Sequence, residues 1–241
     1  IAMQFSLFHL KNSRSQRIIW LLEELGVDYQ LKIYHEHVAE NEQAEIKQFN
    51  PQAKFPTLVL NDTEQNPIVL TESGAIAEYC SHLTQKLGAE QLTPKELKDY
   101  YFWKNFAEAS FMPNLALKQM FKKLVQRTPF PLRIFTQMIK AGFDKGFLNQ
   151  TLHQQLDMIN AQLEHQPYIA GSQFTIADIL LWFPLKACVE LHEDFQQFPE
   201  IKQYLTQIES RPAFQTAQLK GQWSAQNFQN YWSSAYSTNK L

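Results

Sequence analysis

The chain has 241 residues, 44% of them apolar and 19% charged, with a formal net charge of −2. That length carries one large or two modest domains with a sizeable core, and that balance is ordinary for a soluble globular protein. No basic run gives reason to expect nucleic acid, and no apolar stretch approaches the ~18–20 residues that span a bilayer, so neither partner is expected.

Met3 reads as the native start, which makes Ile1-Ala2 a remnant; the intact mass of native material checks this. No signal-peptide pattern is visible. Cys80 and Cys188 lie far apart within helical patterns, in no C-x-x-C or metal-spaced motif. Both are expected to be buried, reduced thiols, which suits a cytoplasmic location.

Met3 to Phe8 reads as a strand, followed by the polar turn Lys11-Asn12-Ser13. A helix is expected from Ser15 to Leu25, because Ile18, Leu21, Leu22 and Leu25 recur at helical spacing and Gly26 offers a stop. Tyr29 to Tyr34 alternates as a strand does, and His37 to Phe49 carries a weak helical signal. Thr57–Leu60 and Pro67–Leu70 read as short strands separated by Asn61-Asp62, a turn signal. A helix from Glu72 to Leu87 places Ile76, Tyr79, Cys80 and Leu83 on one face, with Gly88 at its end. This order within 90 residues is an α/β layer with a small sheet.

Beyond Gly88 the strand signal vanishes, which sets domains of 1–88 and 89–241. Thr93-Pro94-Lys95-Glu96 opens a helix with proline at its first position. Further helical patterns cover Leu97–Val125, Leu132–Leu163, Thr175–Leu191 and Ile201–Ser210. Thr175-x-x-Asp178 is a capping box, with Phe174 and Ile179 placed for a hydrophobic staple. The tail after Pro212 is polar and aromatic; its rings argue for packing, but its path is not legible.

The most informative stretch is KFPTLVLNDTEQNPIVLTESGAIAEYC, Lys54 to Cys80. A proline at the mouth of a strand marks a strand start or edge. A cis bond at Phe55-Pro56 would turn the Phe55 backbone groups outward, free to pair with an extended peptide. A helix opening at Glu72-Ser73 adds unpaired N–H groups and partial positive charge, which suit a carboxylate. Together these describe a receptor for a small acidic peptide. His35-Glu36-His37 lacks the spacing of a zinc motif and a third ligand nearby, and no Walker, G-x-S-x-G or dinucleotide motif occurs.

The Phe55-Pro56, Glu72-Ser73 and Thr175-x-x-Asp178 elements, in this order and spacing, resemble the cytosolic glutathione S-transferases. The run NSRSQRIIWLLEELGVDYQL, Asn12 to Leu31, is similar to a serine-type bacterial and fungal branch of that family. The resemblance covers the chain up to about Pro212. It implies a thioredoxin-like α/β domain followed by an all-α domain. It also implies glutathione as co-substrate, no metal, and a homodimer.

The chemistry it implies starts from a thiol pKa near ~8.5, which leaves only ~3% thiolate at pH 7. Lowering it by about two units takes about 2.7 kcal/mol of differential stabilisation, within reach of a hydroxyl donor in a partly dry site. No Tyr or Cys lies between Met3 and Ile19, so the hydroxyls available are Ser6, Ser13 and Ser15. Ser13, four residues before Arg17, stands where serine-type members carry theirs; Ser15 is the runner-up. The plainer reading is that either serine only caps the helix.

Without a cysteine there, addition of the thiolate to an electrophilic carbon or a peroxide is favoured over disulfide exchange. By the same resemblance Glu72 and Ser73 hold the γ-glutamyl end and Phe55 (before Pro56) pairs with the cysteinyl part, while Lys54 either reaches the glycyl carboxylate or is a solvated charge. Arg14 or Arg17 orients the serine turn or pairs with a carboxylate. Tyr101, Ser110, Met112 and Phe121, in an aromatic and Met-rich helix, are candidates to line the electrophile pocket; such a face is also ordinary core. The competing reading is a non-catalytic module of the same fold that binds protein partners.

Overall fold

A computed structural model describes residues 3–35, 40–61, 66–189 and 197–236. The turn residue Asp62 and the pair Glu36-His37 lie outside these. The chain divides into two compact units, Ile1–Thr93 with Gln207–Ala225, and Pro94–Thr206 with Gln226–Leu241. The segment 207–225 therefore packs with the N-terminal unit, whereas the sequence assigned it to the second domain.

The first unit is built on a four-stranded sheet in the order β2-β1-β3-β4, from β1 (Phe5–Leu10), β2 (Tyr29–Tyr34), β3 (Thr57–Leu60) and β4 (Ile68–Thr71). β1 runs parallel to β2, and β3 runs antiparallel to both β1 and β4. All four residues of β3 and the first five of β1 are buried, so these central strands are covered on both faces. The buried polar side chains Ser6 and His9 of β1 therefore lie inside this covered layer.

On one face, Phe8, Tyr34 and Val59 pack with Ile46 and Phe49, supplied by and just after α2 (Glu40–Lys47). The helix α1 (Gln16–Leu25) ends at Gly26, whose φ of 69° is the left-handed stop its sequence promised. The helix α3 (Ser73–Thr84) follows β4 directly.

β1 extends two residues beyond the expected end at Phe8, which brings His9 and Leu10 into the sheet opposite Ile33 and Tyr34. After α9 (Pro199–Glu209), α10 (Pro212–Lys220) lies along α1. Phe214 meets the Trp20 ring edge-on at 4.9 Å, and Arg211 donates two bonds to Glu24 at 2.6 and 2.8 Å.

The second unit is helical. The expected long helix at 97–125 is instead α4 (Pro94–Phe106) and α5 (Met112–Arg127), joined through a π-helical turn at Ala107–Phe111. The expected helix at 132–163 is likewise α6 (Arg133–Phe143) and α7 (Asn149–Leu163), joined through Asp144–Leu148. A π turn keeps the chain helical across the junction, so each expected helix ran on through it.

α8 (Ile176–Val189) is buried almost throughout, and Phe183 packs on Phe228 and Trp232 of α11 (Ala225–Tyr236) at 5.4 and 6.2 Å. Its capping box is formed: the Asp178 carboxylate accepts from the Thr175 N–H at 2.8 Å, and Thr175 Oγ1 accepts from the Ala177 N–H at 3.3 Å. The same carboxylate also accepts from the Ile169 N–H at 2.9 Å and the Tyr204 hydroxyl at 2.8 Å, so one buried side chain ties three segments.

Replacing Asp178 by Ala strands two backbone N–H groups and a tyrosine hydroxyl away from water. A loss of at least ~3 kcal/mol is expected, read from the urea midpoint at constant slope.

Candidate active site

Register brings three chain segments to one end of the sheet. Phe8 of β1 faces Thr57 of β3, and Thr57 faces Thr71 of β4. Because β3 is antiparallel to both, the end of β1, the start of β3 and the end of β4 meet at one edge. The Asn12–Ser15 turn, Lys54-Phe55-Pro56 and Glu72-Ser73 all follow or precede those ends directly. With strands ~4.8 Å apart, the segments after β1 and β4 lie about 10 Å apart, the length of an extended tripeptide.

The Phe55-Pro56 bond is cis. No hydrogen bond to the Phe55 backbone N–H or C=O forms among the described residues. The Phe55 ring packs on Tyr34 at 5.1 Å, and the Lys54 carbonyl accepts from Thr57 Oγ1 at 2.7 Å and Asn50 Nδ2 at 3.2 Å. The strand mouth is thus fixed from beneath, while the Lys54 side chain stays exposed.

Glu72 precedes α3 with φ 69° and ψ 123°, a conformation that costs a residue with a side chain of order 1–3 kcal/mol. The first turn bond runs from the Ile76 N–H to the Glu72 carbonyl at 3.0 Å, so the N–H groups of Ser73 and Gly74 precede the helical ladder. A Cβ built on Gly74 meets nothing within 4 Å, which leaves space above that helix start.

The two candidate serines separate clearly. Ser15 is fully buried, whereas Ser13 is half-buried. Ser13 Oγ lies 2.8 Å from the Leu10 carbonyl and 2.7 Å from Ser15 Oγ, and accepts from the Ser15 N–H at 3.2 Å. Ser15 occupies the position before α1, but its hydroxyl makes no cap bond to the helix. It turns back instead, accepting from the Leu10 N–H at 3.1 Å and lying 2.7 Å from His9 Nδ1. Arg17 is buried, and its Nε donates to the Arg14 carbonyl at 3.3 Å, which steadies the turn; Arg14 is exposed.

His9 was missed in the sequence because the strand was read as ending at Phe8. Its Nε2 lies 3.0 Å from the Gly221 carbonyl, 212 positions along the chain. Burial depresses its pKa from 6.5 to about 4, outweighing the bond to Gly221.

Cys80 and Cys188 are buried free thiols, and burial raises the Cys80 pKa to about 12, which disfavours its thiolate. No group of three or more potential metal-ligating side chains converges among the described residues.

In the helical unit, Tyr101 and Ser110 are exposed, while Met112 and Phe121 are half-buried. The Ser110 carbonyl accepts from Asn114 Nδ2 and Gln155 Nε2, and Phe121 packs on Phe143 at 4.7 Å. Twenty residues of helical chain separate Tyr101 from Phe121, equivalent to about 30 Å of rise. The four are therefore spread along the helix.

The depressed His9 pKa has a signed consequence for stability. The unfolded chain takes up a proton near pH 6.5 and the folded chain only near 4, so this contribution is complete above pH 6.5 and lost as pH falls towards 4. Urea melts of the wild type and a His9→Gln variant are expected to diverge in that window by up to about 1.4 kcal/mol per pH unit. Parallel pH profiles would show that His9 is not held neutral.

Comparisons with known proteins agree with this architecture. The family model described as Glutathione S-transferase, N-terminal domain, matches residues 13–83, and Glutathione S-transferase, C-terminal domain, matches residues 147–212. Glutathione S-transferase 3 of Schizosaccharomyces pombe is 33% identical over 89% of this chain and 86% of its own length. The disulfide-bond oxidoreductase YfcG of Escherichia coli is 26% identical over 90% of this chain and 95% of its own.

Among solved structures, a glutathione S-transferase from Actinobacillus pleuropneumoniae is 28% identical with a TM-score of 0.69, covering 93% of this chain and 99% of that one. A theta class enzyme from Xanthomonas axonopodis with glutathione bound has a TM-score of 0.65 at 24% identity, over 88% and 96% of the two chains; it shares the fold. The relative from fission yeast, the two family domains in sequence order and the shared architecture establish that this chain belongs to the glutathione S-transferase family and is a glutathione transferase.

Proposed function

We propose that the enzyme lowers the pKa of the glutathione thiol with the Ser13 hydroxyl and adds the thiolate to small hydrophobic electrophiles. The observation that carries this reading is the half-exposed Ser13 Oγ, held at the sheet edge that Phe55 and Ser73 also flank. Ser13 is favoured over Ser15 because Ser15 is fully buried and already engaged with His9 and Leu10.

The tripeptide lies across the edge in an order the register supports. The cysteinyl backbone pairs with Phe55, the γ-glutamyl carboxylate takes the Ser73 hydroxyl and the N–H groups at the start of α3, and Lys54 reaches the glycyl carboxylate. The sulfur then faces Ser13. A sulfur anion draws the Ser13 proton outward into a charge-assisted bond, and the Ser15 N–H continues to donate into Ser13 Oγ from behind.

The thiolate forms a bond to the electrophilic carbon as the carbon–leaving-group bond breaks, and the leaving group departs with the electron pair. With a peroxide the same sulfur takes one oxygen as the O–O bond breaks, a second reaction assigned to this site. Tyr101, Ser110 and Met112 remain the proposed electrophile contacts, with Phe121 beyond them. A cytoplasmic detoxification role accompanies this chemistry.

A homodimer is part of the proposal. In α6 the side chains of Phe135, Met138 and Ile139 are 65%, 59% and 56% exposed, and Phe130 just before it is 79% exposed. An apolar face of this extent on one helix suits burial against a second copy.

Turnover of a chromogenic aryl halide, together with retention on immobilised glutathione, tests the function. Binding without turnover on any halide or hydroperoxide would overturn it. Ser13→Ala is expected to raise the bound thiol pKa and to lower kcat at least about tenfold, with glutathione affinity changed little. Equal activity in the variant would remove Ser13 from the chemistry. Sedimentation of a Phe135→Glu, Ile139→Glu double variant is expected to give a monomer where the wild type gives a dimer.

A further inference from the structure

We propose that His9 is a positioning residue of the thiol site, acting on Ser13 through Ser15, and that the Gly221 carbonyl of the C-terminal segment holds it in place. This rests on the assignment of Ser13 above.

The directions of the hydrogen bonds follow from the partners. A carbonyl only accepts, so the proton of the neutral imidazole resides on Nε2, which donates to Gly221 at 3.0 Å. Burial keeps the ring neutral, so Nδ1 offers a lone pair. Ser15 Oγ, 2.7 Å away, therefore donates its one proton to Nδ1. The Leu10 carbonyl, 3.1 Å from Ser15 Oγ, is a longer and competing acceptor for that proton; from the Leu10 N–H at 3.1 Å and from Ser13 at 2.7 Å, Ser15 Oγ accepts.

The chain of donors thus runs from Ser13 through Ser15 and His9 to Gly221. Its inner protons have buried partners, and the shorter contact to His9 draws the Ser15 proton more strongly than the Leu10 carbonyl does. The Ser13 proton has the Leu10 carbonyl, Ser15 Oγ and an arriving sulfur anion as its choices. Ser13 Oγ is held in place for that choice by an oxygen that cannot itself rotate away.

Gly221 is not a solitary tie. The Ser224 N–H donates to Asn12 Oδ1 at 2.8 Å, and Gln16 Nε2 donates to the Ala217 carbonyl at 2.7 Å. The residues on either side of Ser13 are therefore fastened to one eight-residue stretch about 200 positions later. Asn12 itself has φ 55°, so the turn departs from ordinary backbone at the residue that Ser224 grips. Gly221 is a place of close approach, because a Cβ there would overlap the buried Gln16 amide. The segment after α10 is, on this reading, a structural part of the thiol site.

The measured quantity is the pKa of glutathione bound to the enzyme, titrated by thiolate absorbance, alongside kcat and KM. His9→Leu removes the acceptor and frees the Ser15 proton. The expected result is a rise in bound-thiol pKa of about half to one unit and a three- to tenfold fall in kcat (order of magnitude), with KM for glutathione within about twofold. His9→Asn, whose Oδ1 can stand near the place of Nδ1, is expected to recover most of the loss.

Ser15→Ala and Asn12→Ala provide independent routes if His9→Leu folds poorly, and both are expected to raise the bound-thiol pKa. A folded His9→Leu or Ser15→Ala enzyme with the wild-type thiol pKa overturns the inference. The Ser13→Ala variant separates the two levels: if it raises the thiol pKa while the His9 and Ser15 variants do not, only the positioning role fails. If Ser13→Ala leaves the pKa unchanged, the assignment of Ser13 fails as well.

Discussion

The antiparallel pairing of β3 with both of its neighbours is the constraint on which the site depends. A parallel strand in its place would carry Phe55 to the far end of the sheet, away from the end of β1 and the end of β4. Side-chain alternation makes this register sensitive, since a slip of one residue would exchange the side chains that β3 packs on its two covered faces. All four residues of β3 are buried, so such a slip is opposed by the whole strand. The sheet edge that presents Ser13, Phe55 and Ser73 is in this sense a consequence of core packing beneath it, with Phe8, Tyr34 and Val59 in that core and the Phe55 ring resting on Tyr34.

Burial decides the chemical character of the titratable groups nearby. The same desolvation that lowers the His9 pKa makes Cys80 a poor thiolate, so burial acts in opposite directions on an imidazole and a thiol of the same unit. In the helical unit burial is met by pairing instead. Asp144 takes Lys140 at 2.7 Å and Lys118 at 3.4 Å, and Asn149 completes the Lys118 ammonium at 2.7 Å. Asp144 opens the π turn between α6 and α7, so this buried ion group sits at that junction. Removal of one partner from such a group is far costlier than its net contribution suggests.

Much of the fold was legible because its determinants are local. Gly26 as a left-handed stop, Thr57–Leu60 as a strand and Thr175 with Asp178 as a cap each rest on residues within one or two turns of each other. Pro56 was marked as a strand mouth on the same grounds, but its cis isomer was not readable from them, and the serine turn was singled out through the family resemblance. What escaped was non-local or concealed by helical continuity. His9 gains its meaning from Gly221, and Ser15 from His9, partners that no spacing rule connects. The two π turns keep their chains helical, so each pair of helices reads as one. The path of the segment 207–225 depended on Arg211 finding Glu24 and Phe214 finding Trp20, which are contacts of tertiary structure alone.

The fastening of the serine turn to Ala217, Gly221 and Ser224 has a consequence during synthesis. A growing chain emerges from the ribosome with its first residues leading, and domains tend to fold in that order. The sheet can assemble once β4 and α3 have appeared, yet the stretch that clasps Asn12, His9 and Gln16 is translated more than a hundred residues later. On the proposed assignment, a nascent polypeptide therefore carries an unfinished thiol site until residues 217–224 have been made, long after the sheet can form.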